Sequence, residues 1–309
     1  MTIRILWLNT HIPYVGWIEA LRKHLPHGWE LATEPSDDIR HVIACQPPPD
    51  VLDRLPHLQY VHSMWAGVDH IPKRQGVTIF RMVDPGLVQS MMDYITGHVY
   101  RYHLEMPQYA SWQAERKWNQ VCPPLCSARV VGVMGIGVLG SKVAAQLASL
   151  GFCVVAWSRT GSRTVPKVEE HYSGPDDLED FLASTQVLVM LLPDTPETTD
   201  ILSRETIAHL PHGAAVINAG RGNAVDESAV LEALDSGKLS GVTLDVFKEE
   251  PLPVDHAFWS HPRVTVTPHV AAEVSPETAI PAIYQTISAL EGGASSSTIE
   301  GVYNPGLGY

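Results

Sequence analysis

The chain has 309 residues, of which 45% are hydrophobic, and its mean hydropathy is −0.01. This length is enough for two domains, and no unbroken apolar run is long enough to cross a bilayer. The 34 acidic residues outnumber the 21 basic ones, so the formal net charge of −13 disfavours nucleic acid and anionic membranes as partners.

Two further features predict a cytoplasmic protein. The N-terminal segment, residues 1–8, lacks the charged start, long apolar middle and small-residue cleavage site of a signal peptide. The four cysteines have no spacing that would complete a metal site, and reduced thiols are the default for such a set.

The first part of the chain has the pattern of an α/β unit. Residues 3–8, 29–33, 41–44 and 60–62 are predicted strands, and segments with helical spacing of apolar residues separate them. A long helical pattern then runs from Met91 to about Trp118, with a break predicted at Pro107. We expect this helix to lead from the first domain into the second.

A glycine loop follows the next predicted strand, residues 129–134. The loop consists of Gly135, Ile136, Gly137, Val138, Leu139 and Gly140. A helical pattern comes directly after it. In a strand, loop and helix of this kind the glycines make the tight turn, admit a pyrophosphate and let the helix pack closely. The pattern predicts a dinucleotide-binding domain.

The following strand, residues 152–157, ends at the position that meets the adenosine ribose. An acidic residue there would accept from a free 2′-hydroxyl, but this chain has Ser158, Arg159 and Thr160. A hydroxyl donor and a positive charge suit a 2′-phosphate, so we predict NADP(H), with NAD(H) as the second choice. The alternative is an exposed loop arginine beside a solvated Arg163.

Four more strands are predicted at 187–192, 215–218, 242–246 and 264–266, with the continuous apolar content of a covered parallel sheet. Arg221, Glu250 and His269 each follow one of these strands. Because the carboxyl ends of parallel strands line the ligand crevice, the three side chains are expected in one place.

These three residues would suffice to reduce a carbonyl beside a nicotinamide. His269 would be the general acid, Glu250 would hold the imidazole and favour its protonated form, and Arg221 would bind a carboxylate and polarise the carbonyl. The alternatives are a structural histidine among fifteen, a role for Glu249 in place of Glu250, and an arginine that pairs with an aspartate. Ala271, after His269, is small enough for close packing on a cofactor.

Several motifs together resemble the D-isomer-specific 2-hydroxyacid dehydrogenase family, and within it the branch that reduces glyoxylate and hydroxypyruvate. They are AGVD, GIGVLGSKVA, WSRT, LLPDTPET, NAGRG, ALDSGK, LDVF with EEPLP, HPRVTVTPHVAA and the terminal Gly-Tyr. The resemblance implies an α/β protein with two doubly wound parallel-sheet domains. A discontinuous flavodoxin-like substrate domain would comprise residues 1–98 and 287–309, and a Rossmann NADP-binding domain would comprise 99–286.

The resemblance also assigns the catalytic set to Arg221, Glu250 and His269, which favours Glu250 over Glu249. It places Asp245 at the nicotinamide carboxamide. Further residues are implied along the cofactor, namely Leu192, Pro193, Thr195, Thr198 and Ala219. The substrate carboxylate would bind the amides of Ala66 and Gly67. Trp65 stands where many relatives carry Ser or Ala, and it either shapes the substrate pocket or packs between the domains.

We therefore expect an NADPH-dependent reductase of small 2-keto acids that closes over its substrate. Alternatives on the same fold are a dinucleotide-sensing binding protein and a dehydrogenase for another acid, such as 3-phosphoglycerate or phenylpyruvate. The sensor role is disfavoured because the chain ends soon after the predicted fold. The resemblance also implies a homodimer that uses the segment after Met91. Five aromatic residues there would face a partner or fill the domain junction: Tyr94, Tyr100, Tyr102, Tyr109 and Trp112.

Overall fold

A computed structural model describes residues 2–9, 16–161 and 164–305. The chain divides into two compact units, one formed by Met1–Val88 with Val274–Tyr309 and the other by Gln89–Glu273. The predicted boundaries fall later, at 98/99 and 286/287. The first difference lies within one helix, and the second arises because the last long helix belongs to the first unit. Arg163, Gly308 and Tyr309, which the sequence arguments used, lie outside the described residues.

The first unit has a five-stranded parallel sheet in the order β2-β1-β3-β4-β5. Its strands are β1 (Ile3–Asn9), β2 (Trp29–Ala32), β3 (His41–Cys45), β4 (Tyr60–Ser63) and β5 (Thr78–Phe80). Its short helices are α1 (Trp17–Lys23) and α2 (Pro49–Asp53). This strand order is the flavodoxin-like doubly wound arrangement. Of these strands, β5 was not predicted from the sequence.

The second unit has a seven-stranded parallel sheet in the order β12-β11-β10-β9-β6-β7-β8. Its strands are β6 (Val130–Met134), β7 (Cys153–Ser158), β8 (Glu170–Ser173), β9 (Val187–Met190), β10 (Ala214–Asn218), β11 (Leu239–Leu244) and β12 (Val264–Val266). The strand order reverses between β6 and β9, and ligands of such sheets bind at the carboxyl ends beside this reversal. The two doubly wound parallel sheets confirm the predicted fold class.

Helices cover both sheets. They are α3 (Pro85–His103), α4 (Met106–Ala114), α5 (Val138–Ser149), α6 (Leu178–Ser184), α7 (Arg204–His209), α8 (Glu227–Asp235) and α9 (Pro276–Glu291). Asp226 caps α8 by accepting from Ala229 N at 3.1 Å, and Gly237 follows that helix with a φ of +78°.

The break after α3 does not occur at Pro107. The α3 helix ends at His103, Glu105 adopts a left-handed φ of +53°, and Pro107 lies in the first turn of α4. A proline is tolerated in the first turn because the amide it lacks has no partner within the helix. In the parts of the chain that the structure describes, no helix is long and apolar enough to cross a membrane.

Candidate active site

The three predicted catalytic residues follow three adjacent strands of the second unit. Arg221 comes after β10, Glu250 after β11 and His269 after β12. His269 Nδ1 lies 2.8 Å from Glu250 Oε2, and Phe247 N donates to the other carboxylate oxygen, Oε1, at 2.9 Å. The side chain of His269 is 53% exposed. Glu250, rather than Glu249, is therefore the carboxylate that holds the imidazole.

The pKa of Glu250 shows that Arg221 acts on the same carboxylate. Burial of Glu250 by itself would raise its pKa. The hydrogen bonds from His269 and Phe247 N and the positive charges of His269 and Arg221 outweigh burial, so the pKa of Glu250 lies below its usual value. The structure thus brings a fixed cation, an ionised carboxylate and a half-exposed imidazole together.

A tight turn after β10 holds the backbone of Arg221. Asn218 Oδ1 accepts from Gly220 N at 3.1 Å, and Asn218 Nδ2 donates to Arg221 O at 3.0 Å. A Cβ on Gly220 would lie 2.7 Å from Leu192 N, and one on Gly222 would lie 1.9 Å from the carbonyl carbon of Phe247. The close approach of these backbones explains the glycines on both sides of Arg221.

The backbone of His269 is held in the left-handed region, with a φ of +57°. Its amide donates to Asp245 O at 2.9 Å and lies 3.1 Å from Thr267 O. Asp245 is only 1% exposed, and its carboxylate accepts from the amides of Val270 and Ala271, each at 2.9 Å. The predicted nicotinamide residue therefore also fixes the loop that carries His269.

The glycine loop fits the pyrophosphate of a dinucleotide. Gly135 has a φ of +103°, and a Cβ on Gly140 would lie 1.8 Å from Gly135 O, so the turn requires both glycines. A Cβ on Gly137 would meet nothing within 4 Å, which leaves that side of the loop open to a ligand. Val138 and Leu139 form the first turn of α5, whose amides have no acceptor within the helix.

The residues predicted to bind the 2′-phosphate lie at the end of β7. Ser158 Oγ accepts from Gly161 N at 3.1 Å, and Thr160 is exposed. Arg159 Nη1 lies 3.4 Å from Glu197 Oε2, with 34% of the Arg159 side chain exposed. This guanidinium faces a carboxylate oxygen with which a bound phosphate would compete. Glu197 lies in the LLPDTPET segment, and no role for its side chain was predicted from the sequence.

The remaining predicted cofactor residues line the adjacent strand ends and are largely buried. Thr198 Oγ1 donates to Pro193 O at 2.7 Å and accepts from Thr195 N at 3.0 Å, so it stabilises the turn that follows Leu192. Ala219 and Ala271 are 8% and 1% exposed, which agrees with close packing. Among the described residues, no group of three or more metal-ligating side chains could hold a metal ion.

The predicted substrate loop belongs to the first unit, between β4 and β5. Trp65 N donates to Ser63 Oγ at 3.1 Å, and that hydroxyl lies 3.2 Å from Gly67 O. Trp65, Ala66 and Gly67 are all partly exposed. The Trp65 ring packs against His70, with 4.5 Å between ring centroids and an edge-on angle of 67°. Trp65 is thus fixed in orientation by a neighbour in its own loop.

Comparison with known proteins identifies the family. The family model for the NAD-binding domain of D-isomer specific 2-hydroxyacid dehydrogenases matches residues 96–271. A protein of Serratia proteamaculans named glyoxylate/hydroxypyruvate reductase A is 38% identical over 304 residues, which cover 95% of this chain and 96% of that one. A protein of the same name from Yersinia enterocolitica is 37% identical over 305 residues, 94% of this chain and 96% of the other.

Solved structures agree over the whole chain. A D-isomer specific 2-hydroxyacid dehydrogenase of Xanthobacter autotrophicus in complex with NADPH has a TM-score of 0.91 at 34% identity, with full coverage of both chains. An NADPH-dependent glyoxylate/hydroxypyruvate reductase of Sinorhizobium meliloti, in complex with NADP and sulfate, has a TM-score of 0.88 at 33% identity, covering 99% of each chain. The chain therefore belongs to the D-isomer specific 2-hydroxyacid dehydrogenase family.

Proposed function

We propose that this protein is an NADPH-dependent reductase of small 2-keto acids, with glyoxylate and hydroxypyruvate as its first candidate substrates. The observation that carries the proposal is the contact of 2.8 Å between His269 and Glu250, within electrostatic reach of Arg221. Two observations support it. A relative named glyoxylate/hydroxypyruvate reductase A matches 95% of this chain, and a solved structure of the same fold is in complex with NADPH.

The Glu250 contact assigns the proton positions on His269. A carboxylate only accepts hydrogen bonds, so the imidazole Nδ1 carries a proton and Nε2 is left to face the reacting oxygen. Bound NADPH would supply the hydride to the substrate carbonyl carbon. As negative charge develops on the carbonyl oxygen, His269 Nε2–H donates its proton there. The half-exposed imidazole then regains a proton from water.

Arg221 would bind the substrate carboxylate and polarise its 2-keto group, since a guanidinium stays charged at any relevant pH. The amides of Ala66 and Gly67 remain our predicted second binding group for that carboxylate. On the cofactor side, Gly135, Gly137 and the first turn of α5 would hold the pyrophosphate, and Ser158, Arg159 and Thr160 would hold the 2′-phosphate.

The test measures NADPH and NADH oxidation with glyoxylate, hydroxypyruvate, pyruvate and phenylpyruvate. We expect NADPH to be oxidised rapidly with the small acids and NADH much more slowly. His269→Ala should lower turnover by roughly 10²–10⁴ with cofactor binding little changed. Near-normal turnover of that variant would remove His269 from the mechanism, and no turnover of the native protein with any acid would contradict the proposed activity.

We also propose a homodimer that uses the segment after α3. Exposed apolar side chains there include Trp118 at 94% and Leu125 at 79%, and a groove of about 600 Å³ lies along α3. Of the predicted aromatic set, Tyr94 and Tyr100 line this groove, while the hydroxyls of Tyr94 and Tyr102 bond to threonines of their own unit and Tyr100 packs on Phe152. Sedimentation should give twice 33.9 kDa, and Trp118→Ser with Leu125→Ser should reduce that mass to one chain.

A cytoplasmic location is part of the same proposal. It is supported by the four free cysteines, of which only Cys45 is fully buried. Accessible thiols that remain unpaired are typical of a reducing compartment.

A further inference from the structure

A chain of partly buried hydroxyl groups leads from α3 to the loop that carries His269. Tyr94 OH lies 2.7 Å from Thr267 Oγ1, and Thr267 Oγ1 lies 2.6 Å from Asp245 Oδ1. The ionised carboxylate of Asp245 only accepts, so the Thr267 hydroxyl must donate to it. Thr267 Oγ1 then has no proton left for Tyr94, and the phenol must be the donor of the first bond. The direction of the chain is therefore fixed as Tyr94 to Thr267 to Asp245.

Asp245 binds three consecutive backbone amides at the far end of this chain. Its carbonyl oxygen accepts from His269 N, its Oδ1 from Val270 N and its Oδ2 from Ala271 N, each at 2.9 Å. Asp245 is 1% exposed, so its carboxylate oxygens depend for hydrogen bonds on the amides of Val270 and Ala271 and on the Thr267 hydroxyl. Loss of the Thr267 donor would leave a buried lone pair unsatisfied and would allow the carboxylate to rotate.

The backbone of His269 needs such support. A φ of +57° is sparsely populated by residues other than glycine, and it persists only where surrounding contacts hold it. The side chain of His269 has one described contact, its bond of 2.8 Å to Glu250. A small rotation of the 269–271 loop would therefore change the direction of Nε2 without breaking the fold. Burial raises the pKa of Tyr94, which keeps the phenol protonated as the donor.

We propose that Tyr94 and Thr267, acting through Asp245, are positioning residues that fix the backbone of His269 and so align the imidazole with its proton acceptor. This rests on the proposed function, in which His269 is the general acid. Neither residue needs to touch substrate. Their effect on turnover comes from geometry, for which a misplacement of about 1 Å can cost a hundredfold in rate.

The experiment uses Thr267→Val, which removes the hydroxyl and keeps the shape, and Tyr94→Phe, which removes only the phenolic oxygen. The matched control is Tyr102→Phe. Tyr102 lies on the same helix and is buried, and its hydroxyl bonds Thr243 Oγ1 at 2.9 Å rather than Thr267. Thr267→Ser restores a hydroxyl donor and tests rescue.

We expect Thr267→Val to lower kcat by roughly ten- to a hundredfold, and Tyr94→Phe by a smaller factor, with KM for the 2-keto acid within about threefold of the native value. Tyr102→Phe should keep kcat within about twofold even if its Tm falls, because it loses a buried hydrogen bond that does not reach Asp245. Thr267→Ser should recover most of the lost rate.

Thr267→Val in the His269→Ala background distinguishes an effect on the position of His269 from a general loss of activity. If Thr267 acts only through His269, then Thr267→Val should cost nothing further in kcat when His269 is absent. The proposal is overturned if Thr267→Val keeps native kcat, if it lowers kcat equally in both backgrounds, or if Thr267→Ser is as slow as the valine variant. A native protein without turnover would instead overturn the proposed function, and with it the role of His269.

Discussion

Glu250 contacts the imidazole of His269 through one of its two carboxylate oxygens. Its Oε2 lies 2.8 Å from His269 Nδ1, while Oε1 is occupied by Phe247 N at 2.9 Å. Because the amide of Phe247 holds the second oxygen, the carboxylate cannot turn away from the imidazole. The pair is therefore preorganised, and the orientation of the proton donor does not wait for substrate.

Replacement of this carboxylate should slow the reaction. We expect Glu250→Gln to lower kcat by roughly 10–10³-fold, because the amide loses the negative charge that stabilises the protonated imidazole. The control is Glu249→Gln, whose neighbouring side chain has no described bond to His269, and which should keep kcat within about twofold. Steady-state kinetics with the best 2-keto acid measures both. Equal losses in the two variants would mean that the loop charge matters and the specific contact does not.

The lowered pKa of Glu250 also predicts a pH dependence. A carboxyl whose pKa lies below the usual 4.5 stays ionised as the pH falls toward that value, and loses its charge only below it. Turnover should therefore show no loss from Glu250 between pH 8 and pH 5, which a profile of kcat measured in buffers of constant ionic strength would check. A fall in kcat on the acid side that is centred above pH 5 and absent in Glu250→Gln would contradict this.

Cofactor choice should depend on one arginine. We expect Arg159→Ala to weaken NADPH binding by about ten- to a hundredfold and NADH binding much less, because a charge-assisted bond to the 2′-phosphate is worth about 1.5–3 kcal/mol. Glu197→Gln should strengthen NADPH binding, since Glu197 Oε2 lies 3.4 Å from the same guanidinium and competes with the phosphate. Titration of nicotinamide fluorescence measures both. Arg204→Ala, which removes an exposed guanidinium paired with Glu232, is the control.

If Arg159→Ala weakens NADPH and NADH equally, the residue does not contact the 2′-phosphate. If Glu197→Gln weakens NADPH, the carboxylate orients the arginine and does not compete with the ligand.

Alanine substitutions at two glycines of the cofactor loop should affect NADPH binding and thermal stability differently. A Cβ at Gly140 would lie 1.8 Å from Gly135 O, whereas one at Gly137 would meet nothing within 4 Å. We expect Gly137→Ala to keep the native Tm but to weaken NADPH at least tenfold, because its methyl group occupies the space of the pyrophosphate. Gly140→Ala should lower both the Tm and the affinity for NADPH, because α5 must move away from the turn at Gly135. Calorimetry with and without NADPH measures the Tm and the binding affinity of both variants. Unchanged NADPH binding by Gly137→Ala would place the pyrophosphate elsewhere.

The first unit contains a buried pair of histidines that should make stability depend on pH. His41 Nε2 lies 3.0 Å from Glu291 Oε1 and donates to it, and His41 Nδ1 lies 3.1 Å from His62 Nε2. When His41 is neutral, its Nδ1 accepts the hydrogen bond from His62. Burial lowers the pKa of His41, and it lowers the pKa of His62 well below the usual 6.5. In the unfolded chain the same groups take up protons near pH 6.5.

The unfolded state thus binds more protons, and the free energy of unfolding should fall as the pH drops below 6.5, by at most about 1.4 kcal/mol per pH unit for each histidine. Urea unfolding at pH 7.5, 6.5 and 5.5 measures this slope. Burial also lowers the pKa values of His98 and His103, so the comparison of His62→Gln with the native protein isolates the pair. His62→Gln should have a shallower slope and the exposed His27→Gln the native one. Identical slopes for all three would exclude the pair as its source.

The predictions from sequence succeeded where a local pattern has one physical solution. Apolar runs predicted ten of the twelve strand positions near their observed bounds, because buried parallel strands carry such continuous apolar content. They failed for β5 and β8, of which β8 is mostly exposed and carries no apolar run. The break after α3 was misplaced because Glu105, not Pro107, takes the left-handed conformation, and no local pattern marks that residue.

The sequence by itself determined the family, the dinucleotide loop and the types of the catalytic residues, because these depend on spacing within short segments and on chemical identity. Only the tertiary structure decided that a carboxylate oxygen of Glu250 contacts His269 Nδ1, that Glu197 faces Arg159, and that Tyr94 reaches Asp245 through Thr267. Each of these contacts joins residues 19 to 173 positions apart. The physical reason is that a hydrogen bond requires atoms within about 3 Å, and which distant atoms come that close is set by strand order and helix packing, not by neighbours in the chain.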